Sequence, residues 1–70
     1  MYDLYYGNQT LPAKAKILAT IESEQDIANN PAAVSAFESN QKYGKQVLSS
    51  LRYAKRNGWQ KVFIVEINAF

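Results

Sequence analysis

Val62-Phe63-Ile64-Val65 is the longest apolar run in the chain, and with Ile67 it reads as a strand whose two faces are both hydrophobic. Val62 and Ile64 point one way; Phe63, Val65 and Ile67 point the other. A strand of this kind is expected to be covered on both sides. It also needs neighbours, because a two-stranded sheet is marginal in water and a bare apolar edge invites a second chain. Seventy residues, read as one domain spanning 1–70, have to supply all of this.

So short a chain buries only about 60% of the surface its unfolded form exposes. With no cysteine it has neither a disulfide nor a thiolate metal site in reserve, and with no histidine it lacks the commonest metal ligand and general base. What remains to hold it is a dense core or a partner subunit. Nine aromatic residues (five Tyr, three Phe, one Trp) are a generous supply for that core.

Two further stretches punctuate clearly. Tyr2 to Tyr6 reads as a short strand ended by Gly7-Asn8, with Tyr2, Leu4 and Tyr6 on one face and Asp3 and Tyr5 on the other. The stretch from Asn30 to Trp59 reads as helix. Asn30-Pro31 opens it and Asn57-Gly58 closes it, Gly58 being the left-handed residue and Trp59 packing back near Ala54. Glu38 to Gly44 is polar and ends on glycine, so a kink or break is expected there, with helix resuming by Tyr43. Val34, Phe37, Val47, Leu48, Leu51 and Ala54 are spaced for the core.

Thr10 to Asn29 is ambiguous. The alanines and Pro12 favour a helix capped by Thr10, with Ala13, Ile17, Leu18, Ile21 and Ala28 inward. The rival is a strand, since Ala13, Ala15, Ile17, Ala19 and Ile21 alternate at period two; Ser23 and Asp26 then form a capping box for a separate short helix. The fold class expected is α+β (or small α/β): a short N-terminal strand, two to three helices, a C-terminal strand, and a sheet of two to three strands completed within the chain or extended across a dimer.

Charge is laid out in two blocks. Ile17 to Glu38 holds four acids (Glu22, Glu24, Asp26, Glu38) and no base; Ser39 to Val65 holds six bases (Lys42, Lys45, Arg52, Lys55, Arg56, Lys61) and no acid. On a helical wheel Lys42, Lys45, Ser49, Arg52 and Arg56 fall within roughly 80° of one another, with Tyr53 at the margin. A basic stripe beside an aromatic suits an acidic protein groove or a phosphate backbone equally, and cations at a helix C-terminus also need no function at all. The N-terminal tyrosines offer a second aromatic patch, with Tyr5 the most outward. The candidate partner-binding residues are therefore Lys42, Lys45, Arg52, Tyr53, Arg56 and Tyr5.

Nothing points to chemistry. Glu22, Glu24 and Asp26 lack a calcium-loop pattern, Glu66 is a single acid near a strand end, and Gly7, Gly44 and Gly58 belong to no phosphate-binding loop. No catalytic, cofactor or metal residue is expected. Met1-Tyr2-Asp3 does not read as a signal peptide, and no run approaches the roughly 18 apolar residues of a membrane span, which leaves the cytoplasm as the default compartment. Small cysteine-free domains without motifs, many encoded by phages and other mobile elements, act by covering a surface on a larger protein. The chain is expected to be a non-enzymatic protein-binding domain of that kind, an inhibitor or adaptor. The alternatives are nucleic-acid binding through the basic helix face, and a structural homodimer paired through the C-terminal strand.

Overall fold

A computed structural model describes residues 1–39, 41 and 46–68. The order is β1 (Tyr2–Tyr6), β2 (Ala15–Ile21), α1 (Glu24–Asn29), α2 (Pro31–Glu38), α3 (Val47–Arg56) and β3 (Val62–Ile67). The strands form one antiparallel sheet in the order β1-β3-β2. The last strand in sequence is thus the middle one in space, with both edges paired inside the chain. The fold is α+β, as expected.

The three helices cover one face of the sheet. Val62 and Ile64 of β3, Ala19 and Ile21 of β2, Phe37 of α2 and Val47, Leu51 and Ala54 of α3 form the buried cluster, with Tyr2, Leu4, Tyr6, Ile27 and Trp59 packed around it. Ile21, Val47, Val62 and Ile64 have no exposed surface. Burial of each such side chain stabilises the fold by about 1.5–3 kcal/mol before chain entropy is counted.

The helix favoured over Thr10 to Asn29 does not form. Its place is taken by β2 and the separate α1. The strand wins because β3 needs a partner on its second edge, a tertiary demand that overrides the helix propensity of the alanines. Asp26 then works as an N-terminal cap: its Oδ2 accepts from the N–H of Glu22 (2.8 Å) and of Ser23 (3.2 Å), completing the capping box. Asn30 does not cap α2 with its side chain; its Nδ2 donates back to the Asp26 carbonyl at 2.8 Å.

The alternating stripe in β2 is divided by a bulge. Ile17 pairs with Val65 and Ala19 with Ile64, leaving Leu18 as the extra residue. Ala15 and Ile17 consequently face away from the helices, while Ala19 and Ile21 face them. That explains why Ile17 is 47% exposed and Ile21 is fully buried.

Cover for the second face comes from the β1–β2 connection. Both strands run antiparallel to β3, so the chain has to return along the sheet. Gly7 is level with Lys61, donating to its carbonyl at 2.9 Å, and Ala15 is level with Ile67. The gap is about 20 Å along the strands and about 10 Å across them, and the eight steps from Gly7 to Ala15 reach at most about 28 Å. The connection must cross a sheet face almost directly. Val65 is fully buried and Leu11 half-buried, yet neither belongs to the helix-side cluster. Both observations put the crossing over the face that the helices leave free.

The outer edges are blunted. The Leu4 N–H donates to Asp3 Oδ1 and the Tyr6 N–H to Gln9 Oε1, each at 2.8 Å, so amides that an incoming strand would use are already taken. The bulge and Lys16 interrupt the outer edge of β2.

The crossing begins with a close approach. A Cβ on Gly7 would lie 2.4 Å from the Trp59 carbonyl oxygen. Gly7→Ala is expected to lower unfolding stability by about 1–3 kcal/mol, the usual cost of forcing an extra carbon into a packed site. Urea unfolding followed by circular dichroism measures it; an unchanged midpoint would show that the contact yields easily.

Candidate protein-binding surface

The surface is built on α3. Its buried side is Val47, Leu51 and Ala54, which fixes the orientation of the rest. Its N-terminus is tied to α2, because Glu38 Oε2 accepts from the Val47 N–H at 3.1 Å and places a carboxylate at the positive end of the helix. Its C-terminus closes through backbone bonds from Gly58 to Lys55 (3.1 Å) and from Trp59 to Ala54 (2.9 Å), with Gly58 at φ +76° and the Asn57 amide donating to Tyr53 (2.8 Å).

The next turn is strained. Gln60 has φ +66°, and the Lys61 N–H donates to the Trp59 carbonyl at 2.8 Å, a tight three-residue turn that non-glycine residues rarely adopt. It leads into β3 while holding the Trp59 ring against α3. Trp59, Tyr6 and Tyr53 are in mutual contact: ring centroids are 5.2 Å apart for Tyr6–Trp59, 5.6 Å for Tyr6–Tyr53 and 5.7 Å for Tyr53–Trp59. Each pair is tilted or edge-on, the favoured arrangement for aromatic rings. Tyr6 and Trp59 are half-buried, whereas Tyr53 remains 47% exposed.

Beside this cluster is an open recess of about 410 Å³ lined by Tyr6, Gln46, Ser49, Ser50 and Tyr53. Two rings form one side, while an amide and two hydroxyls supply donors and acceptors on the other. No carboxylate lines it. Arg56 and Arg52 follow Ser49 around the outer side of the helix, both exposed. Arg52 and Lys55 also share a shallow groove with Glu22 and Glu24. The acidic and basic blocks of the sequence therefore meet within one chain, which lowers the positive potential on that flank.

The six residues singled out in the sequence do not form one surface. Arg52, Tyr53 and Arg56 stand together on α3. Tyr5 pairs with Phe63 on the sheet face turned away from the helices. Lys42 and Lys45, along with the expected kink at Gly44 and restart at Tyr43, lie outside the described residues; α3 itself begins at Val47, preceded by Gln46. Trp59, Ser50 and Gln46 were not among the sequence candidates, and Tyr6 entered only with the N-terminal tyrosine patch. Tyr6 and Trp59 carried a signal, since one was placed on the inward face of β1 and the other beside Ala54, but their meeting depends on β3 lying next to β1.

No family model matches the chain, and comparison with curated proteins and with solved structures returns no match. No helix among the described residues is long and apolar enough to cross a membrane. Nor do the described residues include a group of three or more acids placed to hold a metal ion.

Trp59 is the single tryptophan, so its fluorescence reports on the cluster directly. Tyr53→Ala and Tyr6→Ala are expected to shift its emission to longer wavelength and to cost about 1–2 kcal/mol of stability each. Tyr5→Ala, on the other side of the sheet, should leave the emission unchanged. Equal shifts from all three would mean that the rings do not form a local unit.

Proposed function

We propose that the chain is a non-enzymatic protein-binding domain that covers a surface of a larger protein through the outer side of α3. The observation that carries this reading is the Tyr53 ring, half exposed yet held from two sides by Tyr6 and Trp59, with Arg56 and Arg52 alongside. Tyrosine, tryptophan and arginine are the residues that dominate interface energetics, and an aromatic already fixed in place loses little entropy on binding. The recess supplies the complementary concave element. Gln46 and the two serines offer hydrogen bonds that fix the orientation of what enters.

The same arginines suit phosphates, but the groove that Arg52 and Lys55 share with Glu22 and Glu24 works against it. A nucleic-acid backbone needs several uncompensated cations in a row. A protein partner needs one anchor pocket and a polar rim.

The test uses tagged protein in nuclease-treated lysate of the source cell. A single stoichiometric protein is expected to bind the wild type and the Tyr5→Ala variant, and to bind Tyr53→Ala with affinity reduced at least tenfold, about 1.4 kcal/mol. Circular dichroism confirms that the variants are folded. Capture unaffected by Tyr53→Ala and by Arg56→Ala would remove α3 as the contact surface, and loss of all bound material on nuclease treatment would favour nucleic acid.

A further inference from the structure

We propose that Asn57 is a site of deamidation, that the reaction waits on opening of the last turn of α3, and that its product releases Trp59 from the aromatic cluster. Asn57-Gly58 is the one asparagine–glycine step in the chain. Glycine carries no side chain to hinder its own nitrogen, so that nitrogen reaches the preceding asparagine side chain more easily than any other residue's would. Both residues are exposed.

The reaction consumes only water. The Gly58 nitrogen attacks Cγ of Asn57. An N–Cγ bond forms, the Cγ–Nδ2 bond breaks, and ammonia leaves with the proton that the Gly58 nitrogen gives up. Water then opens the five-membered imide. Cleavage of the N–Cγ bond gives aspartate at position 57. Cleavage of the bond from the same nitrogen to the main-chain carbonyl carbon gives isoaspartate, whose backbone runs through Cβ and Cγ.

The closed turn blocks the first step. Asn57 has ψ 4°, which turns the Gly58 nitrogen away from Cβ, whereas ring closure needs the two on the same side. The Gly58 N–H donates to the Lys55 carbonyl at 3.1 Å, and Asn57 Nδ2 donates to the Tyr53 carbonyl at 2.8 Å. Both bonds have to break before attack. A Cβ on Gly58 would meet nothing within 4 Å, so no packing around this residue keeps the turn shut. An exposed helix end held mainly by its own hydrogen bonds opens at far less cost than global unfolding.

The product does not fit the same turn. The Tyr53 carbonyl loses its donor and faces a carboxylate, and a negative charge arrives at the end of α3 where the helix dipole is already negative. Isoaspartate also lengthens the backbone between α3 and Trp59 by one carbon. The contacts of Trp59 with Tyr6 and Tyr53 depend on that path. Modification at Asn57 therefore loosens the cluster without touching a ring.

The test ages the full chain at mildly alkaline pH, both native and unfolded in guanidinium chloride. Peptide mapping by mass spectrometry locates the product, and an isoaspartyl methyltransferase reads isoaspartate. Asn57 is expected to react ahead of Asn8 and Asn29, and at least about tenfold more slowly in the native protein than in the unfolded one. The aged protein and the Asn57→Asp variant should both show Trp59 emission at longer wavelength, with amide exchange at Gly58 and Trp59 at least about fivefold faster. Circular dichroism checks that both remain folded; if Asn57→Asp does not fold, the purified aged protein carries this comparison. Earlier reaction at another asparagine, or equal rates in native and unfolded protein, would overturn the inference. So would unchanged emission and exchange in the modified protein. None of these outcomes bears on the protein-binding reading above.

Discussion

The fold depends on covering a strand that is apolar on both faces. β3 comes last in the chain, yet it lies between β1 and β2, and every other element is placed by that fact. Val62 and Ile64 call the helices onto one face, and Val65 needs cover on the other. Since β1 and β2 both run opposite to β3, the chain joining them has to travel back along the sheet, and it supplies the second cover as it does so. A chain with no cysteine to form a disulfide gains two layers around its central strand from a connection that topology demanded anyway. Because β3 joins strands far earlier in sequence, the sheet is dominated by non-local pairing, which slows folding relative to a helical domain of the same size.

The same constraint shapes the exterior. With the β1 amides of Leu4 and Tyr6 bonded to Asp3 and Gln9, and β2 interrupted by its bulge, the sheet offers little for strand addition. Among the described residues, the large apolar side chains left exposed are Met1, Ile17 and Tyr53. The chain leaves α3 in the left-handed conformation of Gly58, and the strained turn at Gln60 aims it into β3. That path delivers Trp59 to Tyr6 and Tyr53. Local strain of this kind persists only where surrounding structure enforces it, and here it fixes the aromatic cluster in place.

Much of this was legible in the sequence. The faces of β1 and β3, the closure of α3 at Gly58, the return of Trp59 to Ala54 and the capping box of Ser23 and Asp26 all follow from local chemistry, and the structure has each of them. The helix preferred over Thr10 to Asn29 failed because alanine propensity is worth tenths of a kcal/mol per residue, whereas an unpaired edge of β3 would cost far more. Even the rival strand was incomplete, since its single apolar stripe ignored the bulge that sends Ile17 and Ile21 to opposite faces. That Tyr5 stands on the far side of the sheet from Arg52, Tyr53 and Arg56 was not legible for a related reason. Which face of the sheet carries the helices is a tertiary fact that no periodicity encodes.

One side of one helix, organised around Tyr53, is the proposed meeting place of this domain and its partner. Site-specific photo-crosslinking in the source cell addresses it most directly, with a benzoylphenylalanine replacing Tyr53 in one variant and Tyr5 in another. A single protein crosslinked from position 53 and none from position 5 is the expected result. Crosslinks from position 5 alone would move the binding surface to the opposite side of the sheet and contradict it.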